Sequence, residues 1–365
     1  MQCVPYLIAL AVLVIEFTPA HFIYTGPFLT AVPALAAVTL GPKGTTVAAV
    51  LALAISVATA TYNGAWGTLQ VYSNFLALIL VSVAGFITSR AMQERRQEEL
   101  ERVRRIAVAA QEVVLRPVPA RLGPLRVGSL CLAAGTGARV GGDLYEAVQT
   151  RYGVRMIVGD VRGKGLSAVR AVAVALGAFR EAVHYEEDLV EVMNRCSDAL
   201  RREVAVPGAY GQEVLLEGFT TALIAQVPDE SVVQLVNRGH PPPLLLHQGR
   251  ATPLMPSQPS PPLGLEDLIA GLPEKPESHA FIAGDRLLLY TDGVIEARNR
   301  DGEFFALPEA MEGLGVSPTP PEFLEQLHQA LIRHTSGDLA DDVAMILADR
   351  LNGLPESPSG GADAG

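Results

Sequence analysis

The first quarter of the chain almost lacks charged side chains. Between Gly44 and Ser89 there is no Asp, Glu, Lys or Arg, and before Lys43 the only such residue is Glu16. The whole chain of 365 residues nevertheless has a formal net charge of -11 and a mean hydropathy of +0.27. Apolar and charged residues are therefore segregated, which is typical of a membrane region joined to an acidic soluble domain.

Basic residues and cysteines are also scarce. There are 28 Lys and Arg against 39 Asp and Glu, and the sequence pI is about 5.2. This balance excludes a nucleic-acid-binding surface, which needs clustered Lys and Arg to neutralise phosphates. Cys3, Cys131 and Cys196 are scattered, so neither a CxxC metal site nor a disulfide framework is available. We expect three reduced, buried thiols.

Four apolar stretches fill the N-terminal region: Pro5–Phe17, Pro27–Leu40, Thr46–Tyr62 and Val71–Ser89. A helix needs about 20 residues to cross roughly 30 Å of hydrocarbon, which the fourth stretch reaches and the first two do not. Residues 1–20 have no Lys or Arg before the apolar run, so we expect a retained span rather than a signal peptide. The sequence predicts a transmembrane region of about four helices over residues 1–89. A buried helical core of a soluble protein is the alternative.

The basic residues around these stretches predict an orientation. Lys43 lies between the second and third stretches, and six arginines follow the fourth stretch between Arg90 and Arg105. With four spans all of them fall on one side, which the positive-inside rule assigns to the cytoplasm. We therefore expect a multi-pass protein of the cell membrane, with both termini and the catalytic domain in the cytoplasm.

Residues 90–118 form a charged connector that is rich in helix formers. One apolar stripe has the spacing of a two-stranded coiled coil and predicts a homodimer: Leu100, Val103, Ala107, Ala110 and Val114. A competing stripe fits a single helix that packs on the following domain: Val103, Ile106, Ala110 and Val113. The pattern leaves both interpretations open.

Short β-rich runs alternate with helical stretches over the predicted domain at residues 119–350. Two long helical stretches, Ser167–His184 and Asp188–Glu203, separate two groups of strands, and a further helix is predicted at Pro321–His334. This order predicts an α+β layered fold rather than repeated βαβ units. The predicted strands are Leu125–Ala134, Leu144–Val148, Val154–Val158, Thr220–Val227, Val232–Val236, Arg286–Tyr290 and Val343–Ala348.

Two further segments are interpreted from composition alone. Residues Thr252–Glu277 are rich in proline and weakly patterned, so we expect a long surface loop that could shape a substrate groove. Residues 351–365 are rich in Gly, Pro and Ser, and we expect a disordered tail.

Carboxylates stand at the ends of the predicted strands, most of them beside glycine. They are Asp143, Asp160, Asp292 and the pair Asp341 and Asp342. Several carboxylates converging without Cys or His is the oxygen-rich chemistry of Mg²⁺ or Mn²⁺. Taken singly, each has a plainer explanation: a hairpin turn at Asp292, a phosphate-binding loop at Asp160, or a solvated turn at Asp341.

Six short motifs occur together in the order of one enzyme family. They are Val140-Gly-Gly-Asp-Leu-Tyr-Glu146, Gly159-Asp-Val-Arg-Gly-Lys-Gly165, Gly218-Phe-Thr-Thr-Ala222, Asn237-Arg-Gly-His-Pro-Pro-Pro243, Tyr290-Thr-Asp-Gly293 and Asp341-Asp-Val343. Over roughly residues 110–350 the set resembles the PPM (protein phosphatase 2C-like) family of serine/threonine phosphatases, in its bacterial SpoIIE/RsbU branch. The resemblance implies a PPM-type α-β-β-α sandwich, two packed β-sheets flanked by helices.

The resemblance also implies a site for two Mn²⁺ or Mg²⁺ ions. Asp160 would bridge the ions, with the backbone carbonyl of Val161 completing one coordination shell. Asp143 would serve the second ion, and Asp292 and Asp341 the first. Water activated between the ions would attack the phosphorus atom, without a cysteine nucleophile. These four aspartates are the predicted catalytic residues.

Three residues depart from the family pattern, which commonly has Asp, His and Thr or Ser where this chain has Glu146, Lys164 and Ala344. We expect Glu146 and Ala344 to adjust the surroundings of the metal ligands. The Lys164 ammonium either attracts phosphate or is simply solvated. His240 either gives a proton to the leaving oxygen or has a structural role, which the adjacent triple proline favours.

Together these features predict a membrane-anchored phosphatase acting on a phosphoserine or phosphothreonine. The resemblance points to a STAS-type anti-sigma-factor antagonist as the substrate, and so to regulation of a sigma-factor partner-switching pathway. The alternative is a catalytically weak or inactive PPM-fold module that signals or binds, coupled to a membrane sensor. A channel or transporter has little support, because the predicted spans are short and carry no internal charge beyond Glu16.

Overall fold

The computed structural model describes residues 3–16, 26–132, 141–163, 165–205, 219–265, 275–314, 319–337 and 339–351. Lys164 and nearly all of the predicted tail lie outside these residues. The chain divides into two compact units, residues 1–103 and 104–365. The predicted domain boundaries after residues 89 and 118 stay predictions, and one unbroken helix, Leu69–Val114, runs through the first of them.

The N-terminal unit is helical. Its helices are α1 (Val4–Glu16), α2 (Gly26–Thr39), α3 (Gly41–Tyr62) and α4 (Leu69–Val114). By length and composition alone, two helices among the described residues could cross a membrane: α3 and the stretch Leu69–Gln111 of α4. Because α1 and α2 have only 13 and 14 residues, helix length does not support the predicted multi-pass arrangement of about four spans.

Small side chains let the helices of this unit approach one another closely. Ala9 of α1, Ala36 of α2, and Ala48 and Ala52 of α3 are almost fully buried in one apolar cluster, together with Leu78 of α4. Many large apolar side chains of the same helices are exposed instead: Leu10, Val38, Val50, Leu80 and Ile87 are examples. Such a surface is unusual for a soluble helical unit, because exposed apolar patches on soluble proteins are normally small.

At the C-terminal end of α4, residues of both connector stripes pack on the following domain. Ala110 packs against Val169, and Val114 packs against the main apolar cluster of the C-terminal unit. Val113, in contrast, is 80% exposed. The interpretation as a helix that packs on the following domain is therefore right at Ala110 and wrong at Val113. Leu100 is also exposed, and pairing with a second chain there stays a prediction.

The strands of the C-terminal unit form two antiparallel sheets. Their bounds are β1 (Arg121–Leu122), β2 (Leu125–Leu132), β3 (Asp143–Thr150), β4 (Gly153–Val161), β5 (Thr220–Val227), β6 (Val232–Arg238), β7 (Leu244–His247), β8 (Arg250–Pro253), β9 (Glu277–Ala280), β10 (Arg286–Tyr290) and β11 (Val343–Arg350). The six-stranded sheet has the order β1-β2-β11-β10-β7-β8, and the five-stranded sheet has the order β3-β4-β5-β6-β9.

Helices cover the outer faces of both sheets. They are α5 (Leu166–Tyr185), α6 (Leu189–Val204), α7 (Asp292–Ile295), α8 (Leu307–Gly313) and α9 (Pro320–Thr335). The alternation of β10 shows the layering: Leu287 and Leu289 belong to the cluster that includes α5 and α6, while Leu288 packs with Phe323 and Leu327 of α9. The predicted α-β-β-α sandwich is confirmed.

Two helices of the catalytic unit begin with a side-chain cap. The Asp188 side chain accepts the Val190 N–H over 2.9 Å at the start of α6. Thr319 caps α9 in the same way, with Pro320 at the first turn. Both predicted helices of the pair are confirmed to within one residue at each end.

The short strands β1, β7, β8 and β9 are missing from the sequence prediction, because runs of two to four residues carry little periodicity. The predicted loop at Thr252–Glu277 includes the end of β8, and isolated β-bridges at Ser260 and Leu263 attach it to the five-stranded sheet. Cys196 is buried as predicted, but Cys131 is only partly buried and Cys3 is exposed, so the expectation of three buried thiols is wrong.

Candidate active site

Asp143 and Asp160 lie directly opposite each other on neighbouring strands. Asp143 opens β3, Asp160 stands at the end of β4, and the antiparallel register makes them direct partners. Like charges in this position destabilise a sheet. The structure thus brings two of the predicted site residues together in an arrangement that is unfavourable for the sheet itself.

A threonine from the other sheet holds the side chain of Asp143. Thr291 is fully buried; its hydroxyl donates to Asp143 Oδ2 over 2.9 Å and accepts the Ala344 N–H over 2.8 Å. Because its one hydroxyl proton is engaged, Thr291 fixes the orientation of the carboxylate. Thr291 lies in the motif Tyr290-Thr-Asp-Gly293, and the sequence predicts no role for it.

Gly142 leaves space for two oxygens at the end of β4. A Cβ atom at position 142 would lie 2.0 Å from the Val161 carbonyl oxygen and 2.9 Å from Asp160 Oδ1. These oxygens therefore face the space that a side chain would fill. The Val161 N–H also donates to the Gly142 carbonyl over 3.0 Å, which fixes the two segments against each other. Asp160 and Val161 are the residues that the family resemblance pairs as ligands.

Asp342 reaches this region from the six-stranded sheet. A Cβ atom at Gly141 would lie 1.4 Å from Asp342 Oδ2, so a side chain at this position would displace the Asp342 carboxylate. Asp342 is buried and helps to raise the pKa of Asp143. Its neighbour Asp341 is the residue with the predicted metal role. The structure adds Asp342, for which the only sequence signal was its place in the Asp-Asp pair.

Asp292 and Asp341 form the outer part of the site. Asp292 is the first residue of α7, directly after β10, and Asp341 stands just before β11. These strands are neighbours, so their ends bring the two residues to one edge. Burial raises the pKa of Asp292, and the charges of Glu296 and Asp341 raise it further.

Nearly all interactions of Asp143 raise the pKa of its carboxyl group. Burial raises the pKa of Asp143 well above its usual range, and the charges of Asp160, Asp342 and Asp292 raise it further. The hydrogen bond from Thr291 is the interaction that lowers it. Every charged group that shifts this pKa is a carboxylate, so binding a cation would relieve the repulsion.

The geometry matches the predicted metal site in part. Among the described residues, no group of three or more His, Cys, Asp or Glu side chains lies close enough together to hold an ion. The aspartates instead approach in pairs, and the Val161 carbonyl adds a backbone oxygen. In donor chemistry the residues fit Mg²⁺ or Mn²⁺, which bind oxygens from carboxylates and carbonyls.

His240 is held between the two sheets by both of its ring nitrogens. Nε2 lies 3.0 Å from the Tyr290 carbonyl, and Nδ1 lies 2.9 Å from Thr221 Oγ1. Since a carbonyl can only accept, Nε2 carries the hydrogen and Nδ1 accepts from the threonine. Burial lowers the pKa of His240 to about 4. A neutral ring with both nitrogens engaged supports the structural role rather than proton transfer.

The residues that depart from the family pattern have different surroundings. Glu146 is buried and forms an ion pair with Arg180 over 2.6 Å. Arg180 also donates to the carbonyl of Val114 at the end of α4. Ala344 is fully buried, and its N–H is the donor to Thr291. The expected influence of Glu146 and Ala344 on the metal ligands stays a prediction.

Comparison with known proteins identifies the class. A sequence model of the family described as Stage II sporulation protein E (SpoIIE) matches residues 150–351. This is more than half of the chain, and it covers most of the sandwich with Asp160, Asp292 and Asp341, while Asp143 lies just before it. The segment is a PP2C-type phosphatase domain. The chain belongs to the SpoIIE family.

Individual relatives are more distant. The chain is 22% identical over 273 residues to the phosphoserine phosphatase RsbU of Bacillus subtilis, a match that covers 72% of this chain and 73% of the relative. The crystal structure of the RsbU and RsbW domains of a Mycobacterium tuberculosis protein is 23% identical, with a TM-score of 0.56. That match covers 67% of this chain and 64% of the other.

A third similarity is to the SiaA-PP2C domain of Pseudomonas aeruginosa, which is 18% identical with a TM-score of 0.54. It covers 72% of this chain and 99% of that domain. At these identities the solved structures establish the shared fold, and they agree with the two-sheet sandwich described above.

Proposed function

We propose that this protein is a membrane-anchored, metal-dependent protein-serine/threonine phosphatase. The observation that carries the proposal is the Asp143–Asp160 pair, two carboxylates opposed in one sheet with Asp342 and Asp292 acting on the same group. Burying like charges together is costly unless a counter-charge compensates them. A hydrolase that binds divalent cations would use this repulsion to attract them.

Two Mn²⁺ or Mg²⁺ ions are the proposed cofactors. Asp143, Asp160, Asp292, Asp341 and the Val161 carbonyl would hold them. The bound ions would acidify a water for attack on phosphorus and stabilise the leaving oxygen. The protein's own part is to fix the donors: Thr291 orients Asp143, and the Gly142 N-terminal to it leaves room beside Asp160.

Membrane anchoring is supported by the apolar lengths of α3 and α4 and by the exposed apolar side chains of the N-terminal unit. The distribution of Lys43 and the arginines after Ser89 supports a cytoplasmic catalytic domain. Extraction of membranes with sodium carbonate tests this part. An anchored protein stays with the lipid, whereas release into the supernatant would contradict the anchor.

A STAS-type anti-sigma-factor antagonist, phosphorylated on serine or threonine, is the proposed substrate. The similarity to RsbU supports this choice. Dimerisation through the connector is proposed from Leu100 and Val103 of the coiled-coil stripe, which are exposed on α4. We propose no nucleic-acid partner, in keeping with the acidic composition.

The test is an assay of the full-length protein in detergent micelles with a phosphoserine peptide and with p-nitrophenyl phosphate. We expect phosphate release with Mn²⁺ and none with EDTA. Asp160→Asn should abolish it, while Asp198→Asn, an exposed aspartate of α6, should not. Turnover that survives EDTA or Asp160→Asn would contradict the proposed mechanism.

The alternative of a weak or inactive binding module has one observation in its favour. The described aspartates meet in pairs and do not form a group of three. The same assay separates the two functions, since the module would show no Mn²⁺-dependent turnover with either substrate. Isothermal titration with Mn²⁺ would then show whether ions bind at all.

A further inference from the structure

A pocket opens beside the outer part of the site. It has a volume of about 600 Å³ and is lined partly by Gly293, Glu296 and Asp341. Glu296 and Asp341 are also the charges that raise the pKa of Asp292. One side of the pocket therefore belongs to the carboxylate site, and a bound phosphoprotein must pass near it.

The other side of the pocket is a short hairpin, residues 297–305, which we call the arginine hairpin. Its backbone is closed by hydrogen bonds from Phe305 N to Ala297 O over 2.9 Å and from Asn299 N to Glu303 O over 3.0 Å. The Asn299 side chain accepts two further N–H groups at the tip, from Asp301 and Glu303. These hydrogen bonds hold the backbone of the hairpin in one conformation.

The hairpin is also attached to the domain. Phe305 is buried in the cluster that contains α9, and its ring makes an edge contact with His334 at 5.4 Å. His334 Nε2 lies 3.0 Å from the Glu303 carbonyl. The position of the hairpin relative to Asp341 is therefore set by the core of the catalytic unit.

Arg298 and Arg300 are the cations of the described pocket lining. The Arg298 guanidinium lies 4.2 Å above the ring of Phe304, itself more than half exposed. Stacking leaves the edge N–H groups of a guanidinium available for a carboxylate. Both arginines are solvent-exposed, in a chain with a net charge of -11.

We propose that Arg298 and Arg300 form a specificity site for an acidic side chain that flanks the phosphorylated residue of the protein substrate. This inference rests on the proposed phosphatase function. The phosphate itself belongs at the carboxylate side of the pocket, where Asp292 and Asp341 lie. The hairpin faces the neighbouring part of the substrate, and a planar guanidinium pairs well with a carboxylate there.

Two phosphoserine peptides test the proposal, one with Glu on both sides of the phosphoserine and one with Gln at the same positions. Wild-type full-length protein with Mn²⁺ should use the Glu peptide with about 10-fold higher kcat/KM, mainly through KM, and less so at high salt, as expected for two exposed ion pairs. Arg298→Ala with Arg300→Ala should remove the preference. Arg250→Ala, which changes an exposed arginine of β8, should retain it.

Turnover of p-nitrophenyl phosphate distinguishes a failure of the proposed specificity site from a failure of the proposed phosphatase function. Equal activity of wild type and the double variant on this small substrate, with loss of the peptide preference, supports the proposal. A parallel loss on both substrates would overturn it, because the arginines would then act on the phosphate or on folding. No wild-type turnover at all would instead sink the proposed phosphatase function.

A charge-reversal variant distinguishes a change of specificity from a loss of folding. Arg300 is exposed and stacks on no aromatic ring among the described residues, so Arg300→Glu removes no stacking contact there. We expect this variant to prefer a peptide with Lys in place of Glu by about 5-fold relative to wild type. An unchanged order of preference would contradict the proposed site.

Discussion

Arg155 and Asp143 are two of the buried charged side chains of the catalytic unit, and their surroundings differ completely. Arg155 is fully buried and donates to Gln226 Oε1 over 2.6 Å and to the carbonyls of Val183, Glu186 and Glu187. Asp143 is equally inaccessible, but the charges that shift its pKa are all carboxylates.

The difference separates a structural charge from a functional one. The carbonyls around Arg155 lie at the C-terminal end of α5, where the helix dipole favours a cation. The protein therefore supplies the compensation that a buried charge needs. At Asp143 the described residues supply one hydroxyl and several like charges, an arrangement that a bound cation would compensate.

The largest expected effect is the loss of activity when the carboxylate opposite Asp143 is removed. Asp160→Asn should lower kcat/KM by at least about 10³-fold, or roughly 4 kcal/mol of transition-state stabilisation. Removing the charge opposite Asp143 should leave the melting temperature of the metal-free protein unchanged or raised. Phosphate release and thermal unfolding in EDTA measure the two effects. Full activity, or a large loss of stability, would show that Asp160 is structural.

Removing the buried charge of Arg155 should have the opposite effect: stability should fall while activity is retained. Arg155→Met leaves Gln226 and three carbonyls without their donor, and we expect the free energy of unfolding to fall by about 3–5 kcal/mol. Urea unfolding measures it, with turnover per folded molecule retained. Arg170→Met is the matched control. Arg170 is half exposed where it pairs with Glu203, so its loss should cost about 1 kcal/mol. Equal effects of the two variants would contradict the comparison.

His240 adds a buried group that is neutral and fully bonded. Its folded-state pKa of about 4 lies below the ordinary value of 6.5, so the unfolded chain binds more protons in this range. Stability must therefore rise with pH, and it is lost as pH falls from 6.5 toward 4, by on the order of 3 kcal/mol. Urea unfolding at several pH values measures the slope.

His240→Gln provides the comparison for that measurement. The variant has a lower starting stability, but its slope between pH 6.5 and 4 should be shallower than that of wild type, because the titrating ring is gone. Parallel slopes in the two proteins would mean that other groups carry the pH dependence. The histidine would then not be the buried neutral group described here.

The smallest effect concerns the orientation of Asp143. Thr291→Val keeps the shape of the side chain but removes the hydroxyl, so Asp143 loses its donor and Ala344 N–H its acceptor. We expect kcat/KM to fall about 10-fold and the apparent affinity for Mn²⁺ to fall as well. Thr291→Ser should restore both. A variant whose Mn²⁺ dependence is unchanged would reduce Thr291 to a packing role.

Long patterns made most of the fold predictable. The pair α5 and α6, the strands β5 and β10, and the order of strands and helices followed from periodicity and apolar runs. The strands of four residues or fewer did not, because their pairing depends on neighbours distant in sequence. Likewise α4 continues from an apolar stretch into a charged one without a break, and composition alone does not show that one helix joins the two stretches.

The candidate site was predictable as a set of residues but not as a geometry. Asp143, Asp160 and Asp292 stood out at strand ends, and the motifs placed them in one family. The roles of Thr291 and Asp342 were not visible, because each depends on contact between the two sheets. The arginine hairpin gave no sequence signal either, because only the fold places Arg298 and Arg300 in the same pocket as Asp341.

By itself the sequence determined the segregation of apolar and acidic halves, the α+β class and the identity of the strand-end aspartates. These follow from local composition and from periods of 2 and 3.6 residues, which need no knowledge of the rest of the chain. Only the tertiary structure decided which charges face one another. Antiparallel register set Asp143 against Asp160, and the packing of two sheets brought Thr291 to Asp143. Coulomb energy depends on distance in space, and chain order does not fix that distance.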